Sequence, residues 1–291
     1  MTMGNIYKTT DSVNSTKNLP IRYDLYVPGN SSRDLLPVLI FVHGFKGFKD
    51  WGPFPDACED LARQGFVVIA MNFSMNGIGD NPAEFDRLDL FEQETLSQDL
   101  EDIGTVIEAV KNREIQSSRV GLHTDYIGII GHSRGGHTAI AAAAEYPEIQ
   151  SLVTWSAVAS YNERWTEQMI NDWEKQGFTE IKNARTGQMM KVGKVVYEDA
   201  IDNAGRLMAI ERVKELHLPV LFIAGKEDES VPYQDSVKLH RNCPSSNKEL
   251  RLISDTGHTF GASHPFEDDD YPEKFSEVLE LTEGWFLDNL A

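Results

Sequence analysis

The chain has 291 residues, 41% of them hydrophobic, enough for one large core, and α/β enzymes of this size are commonly single domains. Its 46 Asp and Glu outnumber 27 Lys and Arg, and the formal charge of -19 repels phosphate backbones and anionic lipid, which excludes nucleic acid and membrane surfaces as partners. Two cysteines build neither a disulfide framework nor a thiolate metal cluster. The polar first twenty residues lack a signal-peptide core and no apolar run spans a bilayer, so the expected location is cytoplasmic.

Two N-terminal stretches, Asn5 to Thr10 and Ile21 to Val27, read as added antiparallel edge strands. Short Val-, Ile- and Phe-rich runs then recur: Pro37 to His43, Phe66 to Asn72, Tyr126 to Gly131, Ser151 to Ser156, Pro219 to Gly225 and Glu249 to Ser254. Helix-like segments separate them, which predicts an α/β fold with a mostly parallel sheet of about eight strands flanked by helices. Leu100, Ile103, Ile107 and Val110 repeat at helical spacing behind a capping box, Thr95 to Gln98, and Phe275, Val278, Leu279 and Phe286 do the same near the C-terminus. Residues 161–215 are too long for an ordinary connection. They are read as a lid inserted in the single domain, with a helix-like first half holding Trp165 and Trp173, a hairpin around Arg185-Thr186-Gly187 and a returning helix from Asn203 to Glu215. A decoration that only pads the sheet edge is the alternative.

Gly131-His132-Ser133-Arg134-Gly135 lies between the strand ending at Ile130 and the small-residue helix Gly136 to Ala144. The bare pattern is common, but a serine at a sharp strand-to-helix turn exposes its hydroxyl, and the flanking glycines allow the strained turn. Ser133 is the expected nucleophile. A serine hydroxyl needs a base within hydrogen-bond reach and a third group to orient that base, in the chain order Ser, acid, His. His258 follows the last strand and the Asp255-Thr256-Gly257 turn, and is the expected base. His264 is held in reserve, and His240 lies on a helix facing solvent. Gly225 to Pro232 offers three carboxylates at a strand end. Asp228 is chosen for its short side chain at the third position past the glycine, and Glu227 and Glu229 are taken as solvated neighbours.

The oxyanion of a tetrahedral intermediate needs preorganised donors. The amides of Arg134 and Phe45 are expected to supply them, the latter from the turn His43-Gly44-Phe45-Lys46-Gly47, in which His43 holds the loop by a side-chain bond. Phe45, Trp51, Phe54, Trp155 and Trp165 could line an apolar pocket; Trp51, Trp155 and Trp165 are the substrate-binding candidates, and two or three of the five are expected at the site. No cofactor is called for. No metal site is assigned either, since His264 with Glu267 to Asp270 reads as a solvated acidic loop.

Taken together, His43-Gly44-Phe45, Gly131 to Gly136, Gly225 to Pro232 and Gly257-His258 resemble the α/β-hydrolase superfamily, in its dienelactone hydrolase-like and cinnamoyl or feruloyl esterase-like branch. Dienelactone hydrolases proper carry a cysteine where Ser133 stands, so their lactone chemistry is not carried over, and the His-Gly-Gly-Gly loop of the hormone-sensitive lipase branch is missing. The resemblance implies a serine hydrolase that cleaves small carboxylic esters through an acyl-enzyme. An oligopeptidase-like amide hydrolase and a catalytically silent binding protein are the rivals; acyl and alcohol specificity and oligomeric state are not readable.

Overall fold

The computed structural model describes residues 5–29, 34–82 and 84–290. Ten strands are present among them: β1 (Ile6–Asn14), β2 (Pro20–Pro28), β3 (Leu35–Val42), β4 (Val67–Met71), β5 (Gly121–His132), β6 (Ile149–Trp155), β7 (Phe178–Lys182), β8 (Met189–Gly193), β9 (Val220–Gly225) and β10 (Lys248–Ile253). Eight of them form one sheet in the order β1-β2-β4-β3-β5-β6-β9-β10, and β7 pairs with β8 alone. The β1-β2 and β2-β4 pairs are antiparallel and the remaining pairs of the large sheet are parallel. This is the expected architecture. Only β1 is a true edge at that side, because β2 is paired on both of its flanks.

The third of the expected core runs lies in a strand that starts earlier than its apolar stretch. β5 begins at Gly121, but Thr124, Asp125 and Tyr126 have no partner on β3, where the register passes from His123↔Pro37 to Ile127↔Val38. Tyr126 therefore turns outward and is exposed, while Ile127, Ile129 and Ile130 are fully buried.

Helices cover both faces of the sheet, and each face has its own apolar cluster. On one face pack α1 (Phe54–Arg63) and the C-terminal helix Glu273–Asn289; on the other lie Leu96–Lys111, Arg134–Glu145 and Gln234–Asn242. Strand residues buried on both faces explain the unbroken apolar runs that mark β3, β4 and β9. In helix Leu96–Lys111 only half of the expected capping box forms. Thr95 Oγ accepts from the Gln98 amide, but the Gln98 side chain donates to Asp102 and Thr16 rather than reaching back to the cap.

Residues 161–215 fold as a 3-10 turn at Tyr161–Arg164, a helix Glu167–Gln176, the β7-β8 hairpin and the helix Lys194–Asp202. Glu167–Gln176 has a Thr166 cap and ends at Gly177 in the left-handed conformation. The predicted returning helix is broken into Ala204–Leu207, Ala209–Arg212 and a 3-10 turn Val213–Glu215, because buried Met208 is extended between the first two. Trp173, Met190, Val192 and Val196 of this insertion form a third apolar cluster with Phe48, Ile78, Phe85 and Phe91 from earlier in the chain. No helix among the described residues is long and apolar enough to cross a membrane.

Candidate active site

Parallel strands deliver their loops to one end of the sheet, and the four loops after β3, β5, β9 and β10 meet there. At the end of β5 the chain turns directly into the helix Arg134–Glu145 through Ser133, whose φ of 57° and ψ of -121° put a non-glycine residue in a sterically costly region. The turn is held from both sides. A Cβ on Gly135 would come within 2.3 Å of the His43 carbonyl oxygen, and one on Gly44 within 2.8 Å of the Ser133 Cβ. The loop after β3 thus lies directly against the serine, an approach that only glycine allows.

Ser133 Oγ stands 3.0 Å from His258 Nε2, and His258 Nδ1 stands 2.8 Å from Asp228 Oδ2. A carboxylate only accepts, so the ring proton resides on Nδ1 and Nε2 is left to accept the serine hydroxyl hydrogen. The Asp228 side chain is fully buried. Its other oxygen, Oδ1, accepts from the amides of Ser230 and Val231, each at 2.8 Å. Burial opposes its charge, but the bonds from His258 and Val231 outweigh that and keep the carboxyl below its ordinary pKa. The neighbouring Glu227 is not merely solvated: it accepts from the Thr256 amide and its own amide donates to the Thr256 carbonyl, tying the acid loop to the histidine loop.

His132, within the serine motif, was given no role by the sequence. Its buried Nε2 donates to the His258 carbonyl at 3.0 Å, fixing the backbone of the relay histidine. Burial, then the adjacent His258, pushes its pKa down to about 3, so it is neutral near pH 7. The signal available was only its place beside Ser133.

Arg134 directly follows Ser133 in the chain, and Phe45 lines the same cavity as Ser133. Gly47 donates to the Gly44 carbonyl at 2.9 Å, which makes Gly44 to Gly47 a turn with Phe45 at its second position, where the amide is not used by the turn. His43 secures this loop as expected: its Nδ1 donates to the Gly44 carbonyl at 2.9 Å, and the Phe73 amide and Asn76 side chain approach Nε2. The Arg134 guanidinium, also buried, lies 5.0 Å from the Phe45 ring centroid and 5.8 Å from that of Tyr161. It pairs with Glu94 at 2.7 Å and Asp99 at 2.6 Å. Burial disfavours its charge, yet the two carboxylates push its pKa up, while burial raises those of Glu94 and Asp99. Asp102, next along the same helix, accepts from Ser74 N and Gln98 Nε2, and burial lifts its pKa to about 6.

A cavity of about 140 Å³ opens over the serine, bounded by Phe45, Lys46, Trp51, Phe54, His132 and His258. Trp51 and Phe54 are thus where a pocket role requires them. Trp155 is not: the last residue of β6 is fully buried between sheet and C-terminal helix, its Nε1 donating to Thr282 at 3.0 Å, because a central strand is covered on both faces. Trp165 also lies outside the cavity lining, packed against Tyr161, Trp173 and Tyr197. His264 accepts from the Gly52 amide at 2.8 Å and stacks on Trp51, so it buttresses the pocket wall and does not touch the relay. Among the described residues, no group of three or more His, Cys, Asp or Glu is arranged to hold a metal ion. A larger cavity of about 500 Å³, at the opposite end of β3 and β5 near Leu35, Lys111 and Asp125, contains none of these groups.

Comparisons with known proteins agree with this fold. The chain is 24% identical over 229 residues to the acylamino-acid-releasing enzyme of Rattus norvegicus, covering 75% of this chain but spanning only 28% of that relative's length. In fold it is similar to Est1E from Butyrivibrio proteoclasticus (TM-score 0.69, 20% identity, 96% of this chain and 98% of that one). It is also similar to a dienelactone hydrolase from Anabaena variabilis ATCC 29413 (TM-score 0.62, 16% identity, 99% and 100%). The BD-FAE family model matches residues 23–243, most of the chain, and the protein belongs to the BD-FAE family, with the sheet order and doubly covered sheet of the α/β-hydrolase fold.

Proposed function

We propose that the protein is a serine hydrolase that cleaves small carboxylic esters through an acyl-enzyme. Ser133 attacks the ester carbonyl while His258 Nε2 takes its proton; Asp228 holds the imidazole tautomer and stabilises the imidazolium that forms. The amides of Phe45 and Arg134, with the positive end of helix Arg134–Glu145 behind them, bind the developing oxyanion. His258 then protonates the leaving alcohol, water attacks the acyl-serine with His258 again as base, and the free acid departs. The observation that carries this reading is the continuous contact of hydroxyl, imidazole and buried carboxylate, 3.0 and 2.8 Å apart. No step calls on a cofactor, and a charge of -19 makes a small neutral or locally recognised substrate a better fit than a polyanion.

The insertion 161–215 is proposed as a cap over this end of the sheet within one domain, supported by Tyr161 packing edge-on to Phe45. The test is hydrolysis of 4-nitrophenyl butyrate by the wild type and by Ser133→Ala: loss on the order of a million-fold in kcat is expected, and activity that survives the substitution removes the assignment. The match to the acylamino-acid-releasing enzyme supports a second reading, cleavage of a blocked amino-acid amide. N-acetyl-alanine 4-nitroanilide turned over faster than the ester would favour it.

A further inference from the structure

Lys46 is the side chain in the serine pocket that ester hydrolysis leaves without a task. It lines the cavity beside Trp51 and Ser133, half-buried, its ammonium 6.0 Å from the Phe45 ring centroid. Among the described residues no carboxylate lies within ion-pair distance of it. Lys49, three positions on, shows the alternative for a buried lysine: its ammonium is held by Asp24 at 2.6 Å and Asp50 at 2.7 Å. Burial lowers the Lys46 pKa, the mark of a cation partly stripped of water and left without a counter-ion.

The backbone adds an independent observation. Lys46 is the third residue of the turn Gly44 to Gly47 and has a φ of 57°. A turn with positive φ at that position favours glycine, and a side chain there is sterically costly. Lysine therefore occupies a strained position that places its side chain at the cavity. The other titratable groups on the cavity wall are His132, neutral near pH 7, and His258, already engaged with Ser133 and Asp228. Among the described residues, Lys46 is the only lysine or arginine in that lining.

We propose that Lys46 is a specificity residue whose ammonium pairs with a carboxylate borne by the substrate, so that this site prefers esters carrying an acid group, such as half-esters of dicarboxylic acids, over neutral esters of the same size. This rests on the ester-hydrolase reading and names the substrate class for it. The field of the whole protein repels anions, so the preference is a local contact, formed after entry, between a half-desolvated cation and its partner.

The experiment compares kcat/KM for 4-nitrophenyl hemiadipate with 4-nitrophenyl hexanoate, and for 4-acetoxybenzoate with phenyl acetate, the two pairs placing the carboxylate on the acyl or the alcohol side. In at least one pair the acid-bearing ester is expected to be preferred roughly ten- to hundredfold. Lys46→Met should collapse that ratio, and Lys46→Arg should retain most of it. A ratio that Lys46→Met leaves unchanged, or an equal fall for both members of each pair, overturns the proposal; the equal fall would make Lys46 a support of the Phe45 turn instead. Calorimetric binding of monomethyl adipate and dimethyl adipate to Ser133→Ala decides the same question without turnover. Tighter binding of the acid, lost in Ser133→Ala/Lys46→Met, supports the role of Lys46, and equal binding refutes it. Failure of every ester to be hydrolysed would count against the ester-hydrolase reading alone, whereas Ser133-dependent hydrolysis of neutral esters with no preference for the acids would count against Lys46 alone.

Discussion

The serine end of the sheet and the insertion 161–215 sit side by side but are built on different principles. Around Ser133 the chain is fixed by backbone: strand ends in parallel register, glycines whose Cβ atoms would strike carbonyls, and the Asp228 carboxylate pinned by two amides. The insertion is fixed by side chains, chiefly the rings of Trp165, Trp173 and Tyr197, whose centroids lie 5.0 to 5.4 Å apart. Its contact with the relay end is also by rings and charge, Tyr161 against Phe45 and near Arg134. A backbone-fixed end keeps the geometry of bond cleavage, and a side-chain-fixed neighbour can change its wall without disturbing it.

The largest expected effect breaks the backbone-fixed half. Asp228→Asn keeps the two amide bonds to Oδ1 but no longer selects the His258 tautomer, and kcat on a simple ester should fall about 10⁴-fold with KM little moved. A fall of less than tenfold would show that His258 is oriented by something else. Next comes the insertion. Trp173 is buried and donates to the Val192 carbonyl at 2.8 Å, so Trp173→Ala should cost about 3 to 5 kcal/mol of stability in this region. Because that loss falls on the side-chain-fixed half, the kcat for phenyl acetate should change by less than about tenfold. Hydrogen exchange and steady-state kinetics on the same variant measure both, and collapse of both together would refute the separation.

Much of the first half was legible and little of the second. Strands such as β3 and β9 are buried on both faces, so they announce themselves as unbroken apolar runs, and the serine, acid and histidine follow at their ends. The same double burial misleads for Trp155, where nothing in the sequence indicates that Thr282, far along the chain, receives its indole N-H. Trp165 misleads for a related reason: aromatic rings near a site look alike whether they face a cavity or one another. Glu227 and His132 were hidden because their partners are backbone atoms of a distant loop. The returning helix of the insertion broke at Met208, whose extended backbone no local propensity reveals.

The smallest effect concerns the acidic layer beneath Arg134. Asp102 is buried with a pKa raised to about 6 from 3.8. Between those values the folded state holds a proton that the unfolded chain has released, so this group loses its stabilising advantage as pH rises through about 6. Asp102→Asn lacks that loss. Its stability relative to wild type should therefore climb by up to about 3 kcal/mol between pH 4 and pH 7. Urea unfolding at both values measures this; a difference independent of pH would mean that Asp102 is already ionised at pH 4 in the native state.

In the proposed reaction one serine, Ser133, activated by His258 and Asp228, does the chemistry. The most direct measurement is labelling of the whole protein with a fluorophosphonate probe near pH 8, read by intact mass and peptide mapping, in wild type and Ser133→Ala. A single adduct on Ser133, absent from the variant, is the predicted result; an unlabelled wild type, or a label that persists in Ser133→Ala, would contradict it.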